Sequence, residues 1–393
     1  VENNALLSRG KPVFLSVTDT IYDTFMPGKS RKSKTSPKPA SPSLEKLLEK
    51  GDAYLEEGEL EEAEAAYAKA LTLAPQSPEV LIRLGAMLLE TERYNEGVDY
   101  LREVERLAPD DVRPLHLLGV FYVEEGEFDL AEEYFKRALK LEPNEALSHY
   151  NYGNFLSEMG RLPEAEVAYR RAIELGPEEP LHYLGLGGLL ADLEKYDEAL
   201  RQFQIALDLD PHDPRIYLDL GDLLMAMERV EEALKAYRES VRIDPHNALA
   251  RYGLGTALLA RGEAEAASHE LKDAIVDGLE VPLTFVKLGI ALRMAGQLEE
   301  SREAFQQAYD LLEEERSQGG DIRDMCYEEI ITLLGLEQSR RAYELVDGLQ
   351  GDELDAQAVA ELSADLRRLA ALGVSEADEV LRRLTLPPGE LIH

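Results

Sequence analysis

Between Leu44 and Leu312, apolar side chains recur three and four residues apart in runs of about a dozen, separated by short polar turns. The stretch from Pro114 to Asn144 shows the unit most clearly. Leu115, Leu118, Gly119 and Tyr122 fall on one face of a first helix, and Ala131, Phe135 and Ala138 on one face of a second. Glu125-Gly126-Glu127 makes the turn between them, and Pro143 closes the unit. These spacings predict two amphipathic helices, neither of which can bury its apolar face alone. Such a unit is stable only with copies of itself stacked against it.

The copies are present. Gly51, Gly85, Gly119, Gly153, Gly187, Gly221, Gly255 and Gly289 stand 34 residues apart, and Pro75, Pro109, Pro143, Pro177, Pro211 and Pro245 keep the same register. A small residue recurs in the second helix as Ala63, Gly97, Ala131, Ala165, Ala199, Ala233, Ala267 and Ser301. A mid-helix glycine costs about 1 kcal/mol relative to Ala, so its recurrence points to helices that approach closely. Each proline ends a helix because it has no amide hydrogen and clashes with the preceding turn.

This pattern resembles the tetratricopeptide repeat, a 34-residue helix–turn–helix. Residues 44–315 hold eight such units. The resemblance implies an all-α, right-handed superhelical solenoid acting as a protein-interaction scaffold. The tryptophan of the family pattern is absent, since the chain has none. Leu47, Leu81, Leu115, His149, Tyr183, Tyr217, Arg251 and Phe285 occupy its place, with His149 and Arg251 polar exceptions. After Leu312 the register breaks. A ninth, degenerate unit fits residues 323–356, with Cys326, Leu333, Ala342 and Val346 at its packing positions and seven residues inserted before it. Helices at about 353–372 and 375–386 then suit a cap, so residues 316–393 are expected to close the array.

Charge narrows the function. The chain carries 78 Asp and Glu against 42 Lys and Arg, a net of −36, which disfavours nucleic acid or anionic lipid as a partner of the folded body. Residues 1–43 run the other way, with seven Lys or Arg against three acids, a net of +4. Within them Gly28 to Pro42 is basic and rich in Ser and Pro, and is expected to be a disordered tail. Met26 directly precedes Pro27-Gly28-Lys29, so a start at Met26 is one reading of residues 1–25. A single cysteine excludes a disulfide framework, no apolar run reaches the roughly 18 residues of a membrane span, and no signal pattern opens the sequence. The expected location is the cytoplasm.

Motifs of catalysis and cofactor binding are missing: no GxxxxGK[ST], HExxH, GxSxG or CxxC occurs. Gly185, Gly187 and Gly188 fall inside a predicted helix, where packing explains them. His212 and His246 lie one repeat apart, too far to share a metal. No enzyme activity and no cofactor are expected.

The resemblance implies that the first helices line a concave groove that takes a peptide or partner protein. At those positions Glu56, Glu90, Glu124, Glu158 and Asp192 form an acidic series, one per repeat. Asp52, Asn154 and Asp222 stand one turn earlier, with His116, Tyr150 and Tyr252 a turn before those. The helix dipole disfavours an anion at a helix C-terminus, so local stability does not account for the acidic series. Solubility or a basic partner does. If the series is functional it suits a Lys/Arg-rich peptide, and the strip Lys29, Arg31, Lys32, Lys34 and Lys38 could occupy the groove of its own chain or of a second copy. Some members clamp a chaperone's terminal carboxylate, but Leu48, Asp52, Arg83 and Ala86 do not supply that basic set. Asn151 and Asn154 alone match the Asn-lined grooves of sugar-transferring members. The alternative is a non-catalytic subunit or assembly factor of an enzyme complex or envelope machine, binding through apolar convex or terminal surfaces.

Overall fold

A computed structural model describes residues 42–56, 58–319, 322–348 and 356–385. Among them the chain is entirely helical, with no strand. The basic tail, with Lys29 to Lys38, lies outside the described residues. The chain divides into two compact units between Leu189 and Leu190.

The first unit contains α1 (Pro42–Glu56), α2 (Leu60–Leu73), α3 (Pro78–Glu90), α4 (Tyr94–Leu107), α5 (Arg113–Glu124), α6 (Phe128–Leu141), α7 (Ala146–Glu158), α8 (Leu162–Leu175) and most of α9 (Pro180–Asp192). Helices pack in consecutive pairs, α1 on α2 through α7 on α8, and the first helices α3, α5 and α7 lie side by side. Gly185, Gly187 and Gly188 are helical, as expected.

The second unit continues with α10 (Tyr196–Leu209), α11 (Pro214–Ala226), α12 (Val230–Ile243), α13 (Ala248–Arg261), α14 (Ala264–Val276), α15 (Pro282–Met294), α16 (Leu298–Ser317), α17 (Ile322–Gly335), α18 (Ser339–Gly348), α19 (Ala356–Ala371) and α20 (Ser375–Thr385). Here too pairs form, and the first helices α11, α13, α15 and α17 are neighbours in sequence order. The result is an α-solenoid of tandem helix pairs.

Three local rules hold the register. The turn inside each pair has its left-handed residue at a fixed place, taken by Gly58, Gly126, Gly160, Gly262 and Gly296, but by Glu92, Glu194 and Glu228 elsewhere, with φ of 56–59°. A left-handed conformation favours glycine, so those three turns carry strain. The second rule concerns the place of the missing tryptophan. Tyr183 and Tyr217 donate their hydroxyls to the carbonyls of Pro177 and Pro211, six residues earlier. His149 Nε2 and Arg251 Nε do the same to Pro143 and Pro245, both at 2.9 Å. The polar exceptions in the sequence are thus donors that tie a first helix to the proline before it.

The third rule is the close approach itself. Side chains on Gly221 and Gly253 would begin 2.5 and 2.4 Å from the Tyr237 ring. The ring of this α12 residue therefore fills a slot between α11 and the next first helix, α13. Tyr169 occupies the same slot between Gly153 and Gly185.

The break after Leu312 is absorbed mainly by α16, which has 20 residues against 14 in α12. Cys326, Leu333, Ala342 and Val346 are all buried. A buried ion network then joins three helices. Lys287 Nζ on α15 donates to Tyr327 on α17 at 2.6 Å and to Asp365 on α19 at 2.8 Å. Tyr327 also donates to Asp365, which is fully buried and paired with Arg368 as well.

Candidate peptide-binding surface

In the first unit the acidic residues have a simple address. Glu56, Glu90, Glu124 and Glu158 are the last residues of α1, α3, α5 and α7. None of those helices has a basic residue in its last turn. Glu124 is exposed, Glu90 and Glu158 half-buried; the Glu56 side chain lies outside what is described. Asp192 ends α9 in the same way and is exposed.

One turn further in, the side chains are committed to neighbours that the periodicity did not reveal. Asp52 accepts from the Tyr67 hydroxyl at 2.7 Å and from Arg83 Nε at 2.9 and 3.2 Å. Asn154 Oδ1 accepts from Tyr169 at 2.7 Å, and Asp222 Oδ1 from Tyr237 at 2.5 Å. Each pair spans 15 residues, from the middle of a first helix to the inward tyrosine of the second. Where that second-helix residue is Leu101, Phe135, Phe203, Leu271 or Phe305, the partner position holds Ala86, Val120, Gly188, Thr256 or Ile290. Asp or Asn at the first position thus goes with Tyr at the second, and neither occurs without the other in these repeats.

Two of the expected groove residues are not at a surface. His116 is 1% exposed and Tyr150 4%. Their place on the helix turns them toward the neighbouring first helix. His116 Nε2 lies 2.8 Å from Ser148 Oγ on α7, and burial holds the imidazole below its usual pKa, against the pull of Glu145 and Asp111. The Tyr150 ring packs on Tyr169 and His182, with centroids 5.9 and 5.7 Å away. A partner cannot reach either side chain, so the expectation that they line a groove is corrected.

Arg83 is the centre of a ladder that the sequence reading also missed. Besides Asp52 it pairs with Glu79, which also holds Arg113 at 2.8 Å, and Arg113 in turn pairs with Asp111 at 2.7 Å. Burial alone would raise the Glu79 carboxyl, but the two guanidinium groups hold it below the usual range.

The second unit has no such cation at the corresponding place. Burial pushes the Asp222 carboxyl up to about 6 although the Tyr237 hydrogen bond pulls the other way. The residue is nonetheless exposed, so the rise comes from the helices crowding one side of its carboxyl. Asp219, one turn earlier on α11, is raised well above the carboxylate range, first by burial and then by the like charges of Asp222, Asp213 and Asp192, with Arg215 opposing. Burial and Asp222 raise Tyr237 as well, so the bridging proton stays on the phenol. No group of acids, histidines or cysteine suited to a metal ion occurs among the described residues. No described helix is long and apolar enough to cross a membrane.

Tandem helix pairs, glycine-mediated contacts and side-by-side first helices define a helical-repeat scaffold. Family models agree. Tetratricopeptide repeat models match residues 54–119 and, in three overlapping placements, 184–248, 218–278 and 252–317. The model of the cilia and flagella-associated protein 70 middle TPR-like domain matches residues 122–214. The chain belongs to the tetratricopeptide repeat family, whose members are protein-interaction scaffolds. A tetratricopeptide repeat protein from Parabacteroides merdae is similar with a TM-score of 0.50 and 21% identity, over 64% of this chain and 99% of that one. PilF of Pseudomonas aeruginosa gives 0.43 and 24%, over 49% and 88%. YrrB, described as a TPR protein with an unusual peptide-binding site, gives 0.33 and 22%, over 47% and 95%. No curated protein matches the chain.

Proposed function

We propose that the scaffold takes a Lys/Arg-rich peptide, or such a segment of a partner protein, along the first helices of the first unit. The supporting observation is that Glu56, Glu90, Glu124 and Glu158 each end a first helix whose last turn holds no base. The negative end of each helix dipole adds to the carboxylate there. Each such placement costs about 0.3–1 kcal/mol, and a cationic ligand reverses that sign. Because Glu90, Glu124 and Glu158 reach solvent, the attraction is screened beyond about 8 Å at physiological salt. The test is titration of a labelled Arg/Lys-rich peptide into the full chain and into Glu90→Lys/Glu124→Lys/Glu158→Lys. Affinity is expected to fall at least tenfold, about 1.4 kcal/mol, with most of the difference lost at high salt. Equal affinity for both proteins at low salt defeats the reading. The basic strip from Lys29 to Lys38 is the natural internal competitor, so deleting residues 1–43 should strengthen peptide binding.

A second reading, an assembly factor that docks through apolar surface, is favoured by one observation. Every exposed large hydrophobic side chain among the described residues lies on a second helix, with Val276 83% and Val167 69% exposed. Partners captured in that way persist at high salt, whereas partners of the acidic series do not.

A further inference from the structure

The chain contains a worked example of a cation seated on its own tyrosine–carboxylate pair. Tyr67 donates to Asp52, and Arg83, arriving from the next first helix, lays its Nε against both Asp52 oxygens at 2.9 and 3.2 Å. With Arg83 in place the Asp52 side chain is only 20% exposed. Tyr237 and Asp222 repeat that pair at the same 15-residue separation. The residue 31 positions after Asp222, where Arg83 follows Asp52, is Gly253.

The consequence is a pair with its cation missing. Asp222 is exposed rather than covered. It has no ion pair among the described residues, and its one hydrogen bond there, from Tyr237, is received at Oδ1. Gly253 cannot be replaced by an internal arginine either, because a Cβ there would meet the Tyr237 ring at 2.4 Å. The neighbourhood is acidic: Asp219 stands one turn before Asp222 on α11, with Asp213 and Asp192 close enough to act on it, while Arg215 is engaged with Asp213 at 2.9 Å. A guanidinium suits this seat better than an ammonium, since its several fixed donors can serve two acceptors at once, as Arg83 gives Nε to Asp52 and Nη1 to Glu79.

We propose that Asp222 and Tyr237 form a seat for an arginine side chain of the partner, filling the place that Arg83 fills on Asp52 and Tyr67. The seat deepens the reading of a basic ligand and rests on it in that respect, but it uses different residues in the second unit.

The experiment is a residue-resolved NMR titration of the full chain. The probe is a Gly/Ser nonapeptide with one central arginine, and its twin carries citrulline, which is uncharged and nearly isosteric. Saturable shifts are expected at the Asp222 and Tyr237 amides by about 10 mM peptide, where even a 1 mM site is near saturation. Citrulline should produce none. Asp222→Asn, which preserves an acceptor for Tyr237 as Asn154 does for Tyr169, should weaken the site at least tenfold. Arg83→Ala should uncover a second responding site at Asp52 and Tyr67. Equal response to citrulline, or an unchanged dissociation constant in Asp222→Asn, overturns the seat. Silence at Asp52 in Arg83→Ala removes the precedent it stands on. Shifts at Glu90, Glu124 and Glu158 report the acidic series separately, so failure of one reading is not failure of the other.

Discussion

The Tyr237 hydroxyl reaches Asp222 Oδ1 at 2.5 Å through a gap that exists only because Gly221 and Gly253 have no side chains. One aromatic residue thus sets both the packing of two first helices and the electrostatics of the surface they present. Its protonation behaviour is accessible to measurement. Asp222 titrates near 6 in the folded chain against about 3.9 unfolded. The folded state therefore holds the proton more tightly, and stability gained from that group is complete below about pH 4 and lost as pH rises through 6. Asp222→Asn should raise the melting temperature at pH 7.5 and change it little at pH 4. Tyr237 bonds the group, and Asp219, one turn away on α11, is itself raised by burial and by Asp222, so the double variant with Asp219→Asn should show a larger effect still.

His116 gives the opposite sign. Its folded pKa lies below the ordinary 6.5 because burial disfavours the cation. Stability is complete above pH 6.5 and declines as pH falls and the buried ring must accept a proton. Denaturant unfolding between pH 7.5 and 5 should show this decline in the native chain, and His116→Gln should flatten it.

The left-handed glutamates offer a gain. Glu92, Glu194 and Glu228 stand in turns whose counterparts are glycines, and the equivalent Gly126 and Gly160 face open space. Replacing Glu228 by Gly should stabilise by about 1 kcal/mol, the steric cost of that conformation for a residue with a Cβ. The reverse change, Gly160→Glu, should cost a similar amount by chemical denaturation.

Filling the tyrosine slot should do the reverse. Gly153→Leu forces a side chain into the Tyr169 ring, which already lies 2.9 Å from an added Cβ. Overpacking of this kind costs about 1–3 kcal/mol. Unchanged stability would contradict the close-contact role of the recurring glycines.

The terminal network makes a local prediction. Lys287→Met leaves the fully buried Asp365 without its main counter-charge, and breaking a buried pair in this way costs about 3–5 kcal/mol. Hydrogen exchange should accelerate in α19 and α20 while α11 and α12 remain protected. Burial alone would raise Asp365, but Lys287 and Arg368 hold it below the usual carboxylate range. Its contribution is therefore present above about pH 4 and is lost only at lower pH.

The 34-residue glycine and proline registers made the helical repeats legible without coordinates, and residues such as Cys326 and Ala342 could be placed in the core from spacing alone. Side-chain direction was harder. His116 and Tyr150 share a face with true surface positions at the resolution of a helical wheel, and a rotation of a few tens of degrees turns them into the contact between first helices. The commitments of Asp52, Asn154 and Asp222 were available in principle, because each coincides with a tyrosine 15 residues later and the apolar repeats lack both. That signal appears only when repeats are compared with each other. Lys287 and Asp365, 78 residues apart and outside any common register, gave none.

The slot between first helices also decides where the chain can be cut. A boundary drawn at Pro245, where the sequence unit ends, would strip α13 from one side of Tyr237 and leave an aromatic ring facing water. A fragment ending after Arg261 keeps both walls of that slot. Deletion series should accordingly be stepped on an offset grid, each fragment ending one helix beyond the sequence unit so that the ring keeps both its walls.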